Sequence, residues 1–320
     1  MRFLLTDEQR AFAASLDALL TSGDVPAAAR AWAAGDRDPG RALWARLAET
    51  GLFALAADEE YGGVGLRPLE LALGFVELGR HGMPGPVVET AAAAVLLGGV
   101  GAGRVLAGLV GGETVATVVL SAGGRYALDA DAADVVLVES AGVLRVAPGH
   151  GPVRVSSDPV RRLAVPVGGG EVLASGVDAD AAALLARLLT AAQSLGVGLA
   201  LLERTVAYVT QRVQFGVPVG SFQAVKHRLA DTLVGLEFAR PLVYGAALTL
   251  TARDVAAAKV ATSEAVYAAA GAALQLHGAV GYTEELDLAL WLRKARPLRG
   301  AWGTPAACRE LVLAGDTSRG

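Results

Sequence analysis

From Asp180 onward the apolar residues of this chain keep a helical spacing, and only short loops divide the run. Helices with apolar faces must bury them against one another, so residues 179–320 are expected to form a four-helix bundle. Asp180 reads as the N-cap of a first helix reaching about Gln211. Ser221 is placed to cap a second that begins at Phe222 and Gln223, and Asp254 to cap a third that ends at His277 and Gly278. Thr304 followed by Pro305 reads as an N-cap with proline at the first helical position, and Gly315 is placed to close that last helix. Pro241 falls inside the second helix, where it removes a backbone donor and should bend the axis.

The preceding residues divide in two. Residues 1–112 read as helices: Thr6 followed by Asp7, Glu8 and Gln9 is a capping-box start, with Phe12, Leu16, Leu19 and Leu20 at helical spacing after it. A second helix over residues 41–50 carries Leu43, Trp44 and Leu47 and stops at Gly51. A glycine-rich turn at Tyr61-Gly62-Gly63-Val64-Gly65 precedes another helix containing Leu69, Leu73, Val76 and Leu78. Residues 113–178 change character. Short β-branched runs at 115–120, 135–138 and 163–167, punctuated by Gly, Asp and Pro, predict small antiparallel strands. The expected fold is thus α+β, mostly α: an N-terminal helical domain (1–112), a shortened middle β domain (113–178) and a C-terminal four-helix bundle (179–320).

Composition narrows the function classes. With 53% hydrophobic and 19% charged residues the chain is globular and not disordered. The uncharged run around Leu188 to Leu202 is bounded by Arg187 and Glu203 and contains Gln193, short of the ~20 apolar residues of a membrane span. The start MRFLLTDEQR lacks the features of a signal peptide. One cysteine, Cys308, makes neither an internal disulfide nor a cysteine-rich metal site. Four His and a net charge of −4 give no basic stripe for nucleic acid. The expectation is a cytoplasmic protein with no membrane span and no nucleic-acid partner.

Two segments are more specific. Gln211-Arg212-Val213-Gln214-Phe215-Gly216 continues into Val217-Pro218-Val219-Gly220-Ser221-Phe222-Gln223-Ala224-Val225-Lys226-His227, and Gln275-Leu276-His277-Gly278-Ala279-Val280-Gly281-Tyr282-Thr283 follows later. Both are very similar to signatures of the acyl-CoA dehydrogenase family, which shares the helix–β–helix order, and the resemblance covers essentially the whole chain. It implies FAD as cofactor, an acyl-CoA thioester as substrate and an electron-transfer flavoprotein or similar acceptor. Arg212, Phe215, Gln223, Gln275 and Gly278 would then grip the ADP half of an FAD bound mainly by a neighbouring subunit, with Thr304 also at the cofactor. An arginine fork suits a pyrophosphate, a phenyl ring offers a flat face, and glycine lets backbone approach a ligand. Taken singly these residues have plainer roles: Arg212 as a helix-end cation, Phe215 as core, Gln223 as a capping partner. His277, beside a C-capping glycine, reads as structural. Their joint order favours the cofactor.

The same resemblance exposes a gap. The family reaction removes a proton α to the thioester and passes a hydride from the β carbon to the flavin, so a carboxylate must take the proton. In the family a Glu stands before a Gly-Thr pair at the start of the last helix. Here that pair is Gly303-Thr304 and the preceding residue is Trp302, whose indole N–H only donates. The alternative family position falls near Ala186, which is no acid, and Arg187 beside it is a candidate substrate contact. Where relatives carry Thr-Glu-Pro and Gly-Ser residues against the flavin ring, this chain has Val118-Val119-Leu120-Ser121-Ala122-Gly123-Gly124. The resemblance therefore implies the non-catalytic subunit of an α2β2 heteromeric acyl-CoA dehydrogenase of the kind used on bulky side chains such as those of steroids. A self-oligomeric flavoprotein with a Glu-independent reaction and a non-enzymatic acyl-CoA-binding scaffold are the other readings.

Overall fold

A computed structural model describes residues 4–317; the outermost ends of the expected first and last domains, residues 1–3 and 318–320, lie outside it. Six helices come first: α1 (Asp7–Ser22), α2 (Val25–Ala34), α3 (Asp38–Glu49), α4 (Pro68–His81), α5 (Val87–Gly99) and α6 (Gly103–Gly111). The capping box at Thr6 forms as the sequence predicts, the Thr6 hydroxyl accepting from the Gln9 backbone N–H while the Gln9 side chain accepts from Thr6 N–H.

Seven short strands follow: β1 (Ala116–Val119), β2 (Ala127–Leu128), β3 (Val135–Ser140), β4 (Val143–Val146), β5 (Arg154–Val155), β6 (Arg162–Ala164) and β7 (Glu171–Ser175). They form two sheets, ordered β1-β3-β4-β7 and β2-β6-β5. One pairing departs from the expected antiparallel pattern: β1 and β3 run parallel, with Ala116 opposite Val135. The crossover between them carries β2 away to the other sheet, which frees β3 to return in the same direction as β1. A small apolar cluster of Val119, Ala127, Val136 and Ala164 sits with these strands.

The remainder is helical apart from one hairpin: α7 (Asp180–Gln211), β8 (Val213–Gln214), β9 (Val217–Pro218), α8 (Gln223–Thr249), α9 (Ala252–His277), α10 (Leu288–Gly300) and α11 (Pro305–Thr317). The four expected helices are present, and α10 is a further one between the third and the last. Three end signals differ. Ser221 does not cap α8; its hydroxyl donates back to the Pro218 carbonyl in the preceding turn. Thr251, not Asp254, caps α9, accepting from the Asp254 N–H, because the chain turns three residues earlier than the acid suggested. Asp180 opens α7 without capping it, its own N–H bonded to Asp178 Oδ1. The last helix also continues past Gly315 to Thr317. Thr304 caps α11 as read, accepting from Ala307 N–H at 3.2 Å.

The core lies where α7 passes between α4 and α9. Two glycines set the α4–α7 distance: a Cβ on Gly79 would lie 2.0 Å from the Gln193 carbonyl oxygen, and one on Gly196 would lie 1.9 Å from that of Val76. Neither backbone has room for a methyl group, so the helices pack by direct main-chain contact. By length and composition α7 could cross a membrane, yet 83% of its most apolar window is buried against its neighbours, as in a core helix.

Candidate functional site

The two motif segments converge at the far end of α7. There Arg212 ends the helix in extended backbone (φ −72°, ψ 115°) and the chain enters the β8–β9 hairpin. The two turn residues are Phe215 (φ 54°) and Gly216 (φ 79°), the left-handed pair of a tight hairpin turn. Holding a phenylalanine in that region costs backbone energy and thrusts its ring outward: Phe215 is 93% exposed, with only an edge contact to Phe222 at 6.3 Å. Gln223 starts α8 and is exposed, as are Arg212, Gln275 and Gly278. Among the described residues, the Arg212 guanidinium and the amides of Gln223 and Gln275 bond no group of the chain. At Gly278 (φ 63°) an added Cβ would meet nothing within 4 Å, so the main chain there is open to a ligand.

A pair of rings joins the two motifs. Tyr208 of α7 stacks on His277 at the end of α9, 4.2 Å between centroids, and the His277 Nδ1–H donates to the Ala273 carbonyl at 2.8 Å. Burial lowers the His277 pKa, so the imidazole is neutral and structural, as its place beside a C-capping glycine implied. Tyr208 was not singled out from the sequence, where it is one aromatic among the apolar positions of a long helix.

The second group of candidates gathers around Trp302. This residue has φ 56°, a conformation that bulky side chains rarely adopt. Three contacts hold it there. Its Nε1–H donates to Glu89 Oε1 at 3.0 Å, its carbonyl accepts from Arg187 Nε at 2.9 Å, and its ring lies against Gly123, where a Cβ would come within 2.9 Å of the indole. Lys259 secures the chain just before it. That fully buried ammonium donates to the carbonyls of Leu298 (2.8 Å) and Arg299 (3.1 Å) at the end of α10, and burial pulls its pKa down to about 8. Arg187, the candidate substrate contact, therefore directs its Nε at the Trp302 loop. Ala186 is fully buried in the main core, and the Thr304 hydroxyl serves as the helix cap.

Glu89 is the residue that sequence reading missed. It interrupts the apolar run of α5, is 5% exposed, and burial raises its pKa against the opposing pull of Arg161. A lone acid in an otherwise apolar helix was the available signal, because such a group is buried only with a partner. Nearby main-chain donors are also taken: Ser121 N–H is bonded to Glu139 Oε2 at 3.2 Å and Gly123 N–H to the Leu120 carbonyl at 2.8 Å. The two groups of candidates are thus separate in kind, an open arm at the end of α7 and a cleft closed by Trp302.

Comparison with known proteins agrees with this architecture. Residues 6–114 match the model of the acyl-CoA dehydrogenase N-terminal domain and residues 177–315 that of the acyl-CoA dehydrogenase C-terminal domain. The chain is 36% identical over 296 residues to the acyl-CoA dehydrogenase IpdE2 of Mycobacterium tuberculosis, covering 90% of this chain and 91% of that one. The IpdE2 of Mycolicibacterium smegmatis is 32% identical, covering 94% and 96%. Among solved structures, the Tcur3481-Tcur3483 steroid ACAD superposes with a TM-score of 0.87 at 24% identity, covering 98% of this chain and 99% of that one. The ChsE4-ChsE5 complex from Mycobacterium tuberculosis gives 0.84 at 24% identity and covers all of both chains. With both family domains matched and IpdE2 aligned along nearly its whole length, the chain belongs to the acyl-CoA dehydrogenase family.

Proposed function

We propose that this chain is the non-catalytic subunit of a heteromeric acyl-CoA dehydrogenase, and that its arm completes the FAD site of a partner subunit. The observation that carries the reading is Trp302. In the family position of the catalytic carboxylate it places an indole that cannot accept a proton, and the bonds to Glu89 and Arg187 hold it over the Val118 to Gly124 segment. The residues of this cleft fit a flavin ring poorly: the indole lies against Gly123, and the Ser121 and Gly123 main-chain donors beside it are already bonded.

The arm does fit part of FAD. Arg212 offers an unspent fork of donors for a pyrophosphate, Gln223 and Gln275 offer amides, Phe215 offers a free ring face, and Gly278 gives close main-chain approach. All of these face solvent, which suits a cofactor held mainly by another chain. The exposed stripe of Val234, Phe238, Leu242 and Leu248 along α8 supplies apolar surface for such an association. The names of two structural neighbours, a complex and a steroid ACAD, agree with a two-chain enzyme acting on a bulky acyl-CoA. In this reading the partner would supply the carboxylate and the flavin-ring pocket, the FAD would supply the hydride acceptor, and an electron-transferring flavoprotein or an equivalent would serve as the external acceptor.

The test is flavin content. Produced alone, the chain is expected to be colourless; produced with a partner that carries Glu before Gly-Thr, the complex is expected to hold one FAD per pair of chains. A chain that purifies yellow alone and bleaches on addition of an acyl-CoA would refute the assignment.

A further inference from the structure

The cleft under Trp302 is closed to a flavin ring but is not solid. Between the end of β1, the residues leading into β6 and the end of α10 lies a cavity of about 280 Å³, just below the ~300–1,000 Å³ usual for ligand sites. Leu120, Leu128 and Leu163 give it an apolar wall, and Trp302, held at its indole N–H and at its main-chain carbonyl, gives it a flat one.

Its polar anchor is Arg161. Neighbouring residues on an extended segment face opposite ways. Arg162 turns to Asp131 and the Trp32 carbonyl, while Arg161 turns to the cleft. The Arg161 Nε is buried and has no hydrogen-bond partner, and no described residue accepts a hydrogen bond from its guanidinium. Two buried acids interact with its charge, Glu89 and Asp129; Glu89 is committed to the Trp302 N–H, and burial favours the neutral form of both, which leaves the arginine charge poorly matched from within. A buried donor left unbonded costs free energy that a ligand acceptor would recover.

We propose that this cavity binds a small, flat organic carboxylate, with the carboxylate on the Arg161 guanidinium and the ring of the acid against Trp302. The chemistry is that of the pairing itself: a guanidinium matches a carboxylate in a two-point fork, and an indole face matches an unsaturated or cyclic ring of low polarity. The proposal rests on the subunit assignment above, in that the cavity must be free of flavin.

Calorimetry on the 320-residue chain, purified without flavin, tests it with benzoate as the anion and benzyl alcohol as a neutral probe of similar size. Benzoate is expected to bind at least about tenfold more tightly than benzyl alcohol. Arg161→Gln should erase that preference, and Arg161→Lys, which keeps the charge and loses the fork, should restore part of it. Equal binding of the two probes, no binding of benzoate, or unchanged benzoate affinity in a folded Arg161→Gln would overturn the proposal. If Arg161→Gln does not fold, the wild-type preference between the two probes decides alone. Riboflavin that displaces benzoate would place a flavin ring in the cavity and overturn the subunit assignment as well. A chain that binds neither benzoate nor riboflavin would overturn only the carboxylate site.

Discussion

At the β8–β9 arm, the Arg212 guanidinium and the Gln223 and Gln275 amides face solvent with no partner among the described residues. At the cleft, the Trp302 indole N–H and carbonyl are both bonded internally, to Glu89 and Arg187. The arm spends strain to stay open, with Phe215 held at φ 54° and its ring in solvent. The cleft spends strain to stay closed, with Trp302 held at φ 56° and its ring packed inward. On the proposed assignment, the scaffold keeps the half of a cofactor site that serves a neighbour, while the half that would serve itself has become structure. Hydrogen-bond donors left free at a protein surface remain available to a ligand, whereas donors satisfied internally stabilise the fold and are lost to one.

The sharpest way to break this contrast is at Arg212. Arg212→Ala in the two-chain complex should weaken FAD binding about ten- to a hundredfold, the loss expected for a charge-assisted contact to a pyrophosphate. The thermal stability of the chain alone should not change, because the side chain bonds no other group among the described residues. Flavin titration read by fluorescence checks the first part and thermal melting the second. Unchanged flavin affinity would make Arg212 a helix-end cation like many others.

Truncating Trp302 probes the other side. Removing a fully buried Trp costs ~3–5 kcal/mol, and Trp302 is only half-buried, so Trp302→Ala should cost roughly 2 kcal/mol in urea unfolding. Trp302→Gly should cost about 1 kcal/mol less than Trp302→Ala. That reverses the usual order, since glycine takes a positive φ without the left-handed penalty. If the alanine variant is the more stable of the two, the loop is not strained and the closed cleft needs another explanation.

A smaller effect is expected from Glu89→Gln. Glu89 has its folded-state pKa raised by burial, so the folded chain holds this proton at pH values where the unfolded chain has released it. Its contribution to stability is then complete below the usual carboxylate pKa of about 4.3 and is lost as pH rises toward the elevated folded value. The amide keeps an acceptor for the Trp302 N–H and carries no charge. Glu89→Gln should change stability by less than about 1 kcal/mol at pH 5 and should remove part of the decline as pH rises above that. Urea midpoints measured across that range would show it, and a decline identical to wild type would mean that other acids, such as Glu77, raised to about 7, account for it.

Much of the fold was legible because its signals are local. The Thr6 box, the His277–Gly278 stop and the Thr304–Pro305 start depend on a few neighbouring residues, and all three form. The features that escaped sequence reading depend on distant partners. Parallel pairing of β1 with β3 follows from where β2 goes, and α10 is hard to separate from the loops around it because Pro297 lies inside it. Ser221 and Asp254 look like caps by type, but the turn geometry gave the role at α9 to Thr251. At the site the arm could be read directly, since exposed motif residues need no tertiary partner. The cleft could be read only at Trp302: Glu89 lies 213 residues away in sequence, and neither residue alone announces the bond between them.

The smallest expected effect is none at all, and it bears most directly on whether the cleft is closed for want of one residue. Trp302→Glu puts the family carboxylate back before Gly303 and Thr304 and removes the ring from over Gly123. Geometry still works against it. The new carboxylate would replace the donor that now faces buried Glu89, so two acids would share one poorly solvated place and tend to hold a proton between them instead of accepting one from substrate. The Ser121 and Gly123 main-chain donors would remain bonded to Glu139 and Leu120 and so would be withheld from a flavin ring. Trp302→Glu in the chain alone should therefore give no acyl-CoA-dependent flavin bleaching in stopped flow, whatever the acyl group and with FAD in excess. Bleaching in the single variant would show that only the base had been lost and that the pocket beneath Trp302 still accepts a flavin. The contrast between an outward-facing arm and a cleft closed to flavin would then reduce to a single side chain.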